Sequence, residues 1–241
     1  MSSIKFRYST GILDPNDAPE FAWEYPVPIN DFWNSFRYIT GRNFLTCFSQ
    51  QEIFDMNLEQ HNNSSNKQKA AILLASIEEK ITALETLDRP LWETDFATWQ
   101  KLMQAEISVY GELKLLDKEI EAEEEVINKR GDKYIPAHAN GLAYLLTKRG
   151  RPGDFEKAEE LERNAQEWFD LNLGKDSPQA MSVRRVIITA VWGQQRHTEA
   201  EELIAEMYQL IEHSERGEYW VYRNVERQLV DKLVDGLKGQ G

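Results

Sequence analysis

The sequence predicts an all-α protein made of stacked antiparallel helix pairs, and three observations predict it. The word Ala-Glu-Glu-Leu occurs at Ala158 to Leu161 and again at Ala200 to Leu203, an offset of 42 residues. From Lys67 onward, apolar residues recur at steps of three and four, the spacing that lines one side of a helix. Pro15, Pro19, Pro26 and Pro28 gather the helix-breaking signal at the N-terminus.

The N-terminal segment is different in kind. Of the 26 aromatic residues, 12 lie before position 56. The prolines remove donors and push the residues before them toward extended conformations, so "DPNDAPEFAWEYPVPIND" reads as an irregular arm. Asp31 to Tyr38 and Gln50 to Leu58 are expected as short helices. The polar run "EQHNNSSNKQK" then separates an aromatic, proline-rich arm over 1–62 from a helical repeat domain over 67–241.

Within that domain, Ala70, Leu73, Leu74, Ile77, Ile81, Leu84 and Leu87 form one helical stripe, which Pro90 ends. A second stripe passes through Phe96, Trp99, Met103, Ile107, Tyr110, Leu113 and Leu116 and runs on into "DKEIEAEEEVINKRG". The glutamates of 121–125 are read there as a solvated face, with Ile120, Val126 and Ile127 inward.

The doubled phrase organises residues 137–213. "AHANGLAYLLTKRG" is a helix closed by Gly150, and "DFEKAEELERNAQEWFDLNL" is its partner, with Phe155, Ala158, Leu161, Ala165, Trp168 and Phe169 inward. The unit restarts with "SPQAMSVRRVIITAVWGQQ", where Ser177 caps and Pro178 takes the first turn. "RHTEAEELIAEMYQLIEH" completes it, with Ala200, Leu203, Ile204, Met207, Leu210 and Ile211 inward. Each pair leaves an apolar side open and must stack on a neighbour. Residues 218–237, with apolar steps at Tyr222, Val225, Leu229, Leu233 and Leu237, close the stack as a capping helix.

"NGLAYLL", "EKAEEL", the connector "LGKDSPQAM" and "TEAEEL" resemble tetratricopeptide repeats of the kinesin-light-chain type, whose unit is longer than the usual 34 residues. The resemblance covers Pro136 to His213, about a third of the chain. It departs in an insertion of about three residues at "RPGD", in Ile188 where a small residue packs, and in Gln195 at a turn glycine.

Charge and composition exclude several function classes. The formal net charge of −13 repels phosphate backbones and anionic head groups, so neither nucleic acid nor a membrane is expected as a partner. No apolar run is long enough for a signal core or a membrane span, and the expected setting is cytoplasmic. Cys47 is the only cysteine, and His61, His138, His197 and His213 show no metal-ligand spacing. No phosphate loop or nucleophile elbow occurs, so no cofactor or metal is expected, and the sequence leaves open whether there is catalysis and which residues would carry it.

Two readings of function follow. The resemblance implies a concave groove lined by the first helix of each pair, at Asn140, Tyr144 and Thr147 and at Ser182, Arg185, Thr189 and Trp192. Such a groove binds a peptide or protein partner. Asn140 matches a backbone-clamping asparagine, and Arg185 is placed to pair a carboxylate. The alternative is a small enzyme or binding protein for an apolar metabolite, its pocket formed by the arm and the groove. Phe21, Trp23, Tyr25, Phe32, Trp33, Phe36 and Tyr38 are too many rings to leave in water. They are expected to pack as core, with a groove filler, a pocket wall and a homodimer interface as the other uses.

Overall fold

A computed structural model describes residues 5–9, 11–13, 24–85, 89–130, 136–213 and 219–239. The fold is all-α, with helices packed against their neighbours in sequence order. Two compact units divide the chain, Met1–Ala122 and Glu123–Gly241. The first unit takes in the helices that follow the polar break together with the N-terminal segment.

In the first unit, three short strands pair where the sequence predicts an irregular arm: β1 (Phe6–Tyr8), β2 (Gly11–Leu13) and β3 (Val27–Pro28), in the order β2-β1-β3, antiparallel throughout. Pro28 is tolerated because β3 is an edge strand and its missing donor interrupts no inner ladder. The helix expected from Asp31 is only a single tight turn at Trp33–Ser35.

A helix the sequence reading missed, α1 (Tyr38–Leu45), follows. Its mid-helix Gly41 hides it from pattern reading, and the reason for that glycine is tertiary. A Cβ there would come within 2.8 Å of a Val27 methyl, so β3 packs directly on the helix backbone. Next, α2 (Gln50–Asp55) is held by a capping box between Ser49 and Glu52. Asn57, at φ +45°, stops it before a tight turn at Leu58–His61.

A second capping box, Ser65 with Gln68, starts α3 (Asn66–Leu84), and α4 (Leu91–Thr94) leads to α5 (Phe96–Glu112). The continuous stripe predicted beyond α5 is broken. Lys114 turns left-handed at φ +59°, the Leu115 amide bonds back to the Tyr110 carbonyl, and α6 (Leu116–Arg130) begins as a new helix. That is a Schellman-type ending on a lysine instead of a glycine, so composition gave no warning of it.

The core of this unit is aromatic. Phe32, Trp33, Phe36 and Phe44 are buried and their rings meet edge to face or tilted. The Lys69 ammonium donates to the Asp31 carbonyl and the Ser35 hydroxyl, both at 2.8 Å. Asn43 donates to the Ser108 hydroxyl at 2.8 Å, tying α1 to α5. Phe32, Trp33 and Phe36 are thus core, as expected; Phe21 and Trp23 lie outside the described residues.

The second unit contains α7 (Pro136–Arg149), α8 (Asp154–Leu173), α9 (Pro178–Gly193), α10 (His197–His213) and α11 (Arg223–Lys238). Helices α7 to α10 fall where the doubled phrase places them. Helix α8 packs on α7 and α9, α10 on α9, and α11 on α9 and α10. Ala158 and Ala200 are both fully buried at corresponding places. An ion pair joins α9 to α8, Arg184 with Asp170 at 2.7 Å, and another joins α11 to α10, Arg227 with Glu212 at 3.4 Å.

Three details depart from the predicted stripes. Trp168 is exposed, and Glu159 and Glu162 are buried beside Ala158 and Ala165. On α11 the inward residues are Glu226, Val230 and Leu237, while Val225 and Leu229 face outward. The rotation brings Glu226 onto Arg185. Ile188 is buried where the resemblance implies a small residue.

Candidate functional site

The residues proposed for the groove fall on one stripe of each first helix. Asn140, Tyr144 and Thr147 are spaced by four and three on α7; Ser182, Arg185, Thr189 and Trp192 continue the same rhythm on α9. Their flanks are buried, including Leu142, Ala143 and Leu146 on α7 and Val183, Val186 and Ile187 on α9. These stripes are accessible on two largely enclosed helices, and Ala137 and Lys148 of α7 are exposed as well. The stripes lie side by side, since the Ser182 hydroxyl is 3.5 Å from Asn140 Oδ1.

The stripe residues are not equally available. Tyr144 is 55% exposed. The hydroxyls of Thr147 and Thr189 donate to carbonyls of their own helices, at 2.8 and 2.9 Å. Trp192 packs edge to face on His197, with ring centroids 4.4 Å apart. Arg185 is engaged within the molecule: its guanidinium donates to the Glu226 carboxylate. Burial pushes the Glu226 carboxyl up from its ordinary range, against the pull of Arg185. A carboxylate ligand at Arg185 would have to displace Glu226.

Beneath this surface lie two buried acids that the sequence reading placed in solvent or passed over. Glu162 is fully buried on α8, and its Oε1 accepts from Asn140 Nδ2 at 2.5 Å. Its Oε2 is buried and has no partner. Burial raises its pKa to about 8, with the Asn140 hydrogen bond acting the other way. Glu123, expected on a solvated face, meets His138 Nδ1 at 2.5 Å, with His138 fully buried. A visible signal existed for Glu162. It takes a place in the buried run Ala158, Glu162, Ala165 and Phe169, where an acid is out of pattern. Glu123 carried no such signal among its neighbouring glutamates.

The first unit holds an open cleft of about 1140 Å³. Phe6, Pro28, Ile29, Trp33, Ile53 and Phe54 line its apolar part, with Lys5, Asn30 and Asp55 among its polar groups. Phe54 is 78% exposed at this cleft.

Nucleophile and metal chemistry gains no support from these positions. The Cys47 thiol donates toward the Asn43 and Lys101 carbonyls at 3.2 Å each. Burial pushes its pKa up to about 12, away from a reactive thiolate. Among the described residues, no group of three or more His, Cys, Asp or Glu side chains is arranged to hold a metal ion, and no helix is long and apolar enough to cross a membrane.

No protein-family model, curated protein or solved structure matches the chain. The stacked antiparallel packing is compatible with a helical repeat fold.

Proposed function

We propose that the second unit is a tetratricopeptide-type docking module, taking a peptide or protein segment along the joined stripes of α7 and α9. One observation carries the reading: accessible stripes of these two helices are adjacent and present Tyr144, Asn140, Ser182, Thr189 and Trp192. The exposed Tyr144 ring, the half-buried Trp192 ring and the short polar groups beside them suit an extended segment, with rings covering apolar side chains and amides or hydroxyls meeting its backbone. The net charge of −13 favours a protein partner over nucleic acid or anionic lipid, in a cytoplasmic setting.

The test is binding of candidate partner segments by calorimetry to the whole chain and to Tyr144→Ala and Trp192→Ala. Losses of roughly 1 to 3 kcal/mol in both variants, with unchanged melting temperature, fit the docking face. Unchanged affinity in both would remove it.

The first-unit cleft favours a second reading, a binding protein for an apolar metabolite. Native mass spectrometry of protein taken from its own cells would reveal a retained small molecule. Loss of that molecule in Ile53→Asp would place it in the cleft.

A further inference from the structure

We infer that Glu162 is the proton-carrying half of a buried acid–amide pair with Asn140, and that release of its proton is a pH-sensitive device that resets the Asn140 side chain and loosens the packing of α8 against α7 and α9.

The geometry leaves a carboxylate at this point without support. Glu162 has no exposed surface, one hydrogen-bond partner on Oε1, and none on Oε2. That partner is a neutral amide. The cations of the helices packed against α8 are committed elsewhere or face water. On α7, His138 meets Glu123, Arg149 meets Asp154 and Lys148 is exposed. On α9, Arg184 meets Asp170 and Arg185 meets Glu226. On α8 itself, Lys157 pairs with Glu124 and Arg163 with Glu159 and Glu199. Of the acids just before it on α8, Glu160 is exposed and Glu159, three residues back and buried, is paired with Arg163 and Arg196.

A buried carboxylate with no cation and a single donor is costly, and a proton removes the charge, the larger part of that cost. The neutral acid and the Asn140 amide then form a pair without net charge, with Ser182 next to it on α9. Loss of the proton leaves two charged oxygens and one donor between them. The second oxygen must find a donor, either by turning the Asn140 amide or by admitting water between the helices.

The sign follows from the direction of the shift. The folded state holds the proton more tightly than the unfolded chain, because the pKa rises from 4.5 to about 8. The contribution of Glu162 to stability is therefore highest below about 4.5, falls as pH rises through that interval, and levels off above about 8.

The decisive measurement is the side-chain amide resonance of Asn140, assigned by its loss in Asn140→Ser, followed in the intact chain from pH 6 to 9.5. A single titration step in the wild type, absent from Glu162→Gln, is the expected result. Denaturation midpoints of the two proteins should diverge between pH 5 and 8, the wild type falling relative to the glutamine variant, and run parallel above. An Asn140 resonance that does not move in the wild type overturns the proposal whether or not the variant folds, and so do midpoint curves that stay parallel throughout. The consequence for docking rests on the groove reading above. If Asn140 titrates while affinity for a verified segment is pH-independent, the device stands and Asn140 leaves the docking face.

Discussion

Glu123 reaches His138 across a glycine. The carboxylate lies 2.5 Å from His138 Nδ1, and a Cβ added to Gly141 would fall 2.5 Å from the other carboxylate oxygen. Gly141→Ala should push the carboxylate off the imidazole and leave buried polar groups unpaired, outweighing the helix propensity gained from alanine. A loss of about 1 to 3 kcal/mol in urea melts is expected. A gain would mean that the pair moves aside freely.

Ala200 is fully buried where α10 meets its neighbours. Ala200→Glu places an unpaired charge between helices and should cost several kcal/mol, on the order of the largest single-site effects, with a matching drop in Tm. Ala158→Glu should do the same, because Ala158 occupies the same place one unit earlier. An unchanged Tm in either would contradict the register of the stack.

Gln195 turns left-handed at φ +64°, the same angle as Gly150 in the corresponding turn. The Arg196 amide closes the turn on the Val191 carbonyl. A side chain is strained in this conformation and glycine is not, so Gln195→Gly should stabilise by roughly 0.5 to 1 kcal/mol, measured by thermal or chemical melts.

Phe32 is fully buried among Trp33, Phe36 and the Lys69 ammonium. Phe32→Ala should cost about 3 to 5 kcal/mol, and Phe54→Ala, an exposed ring, should cost under about 1 kcal/mol. Equal effects would mean that the first unit does not have its core at Phe32.

The stability profile with pH should have two arms. Hydrogen bonds from Lys80 and Ser49 hold the Glu52 carboxyl down at about 2, and those from Arg149 and Arg151 hold Asp154 below its usual range. Such depressed groups stabilise above their unfolded pKa and lose that contribution as pH falls through the folded one. Glu162 acts in the opposite sense, with a slope approaching about 1.4 kcal/mol per pH unit between 4.5 and 8. A maximum near pH 5 in a denaturation series is expected, and Glu162→Gln should shift that maximum toward neutrality.

The sequence by itself determined the helical class, the period and the bounds of α7 to α10, because these depend on spacing and capping within a few residues. Ala158 and Ala200 could be read as buried since a small residue inside an apolar stripe has one physical use. Tertiary structure decided what spacing cannot encode. Gly41 stands inside α1 because Val27 occupies the place of its Cβ, and Lys114 and Gln195 end helices without the usual glycine. Glu123, Glu162 and Glu226 have the composition of a solvated surface, yet partners 15, 22 and 41 residues away draw them inward. The same distant pairing decided what the stripes of α7 and α9 present. Periodicity placed Asn140 and Arg185 on accessible stripes, but only folding brought Glu162 to one and Glu226 to the other, because the strength of a buried hydrogen bond depends on which helices meet.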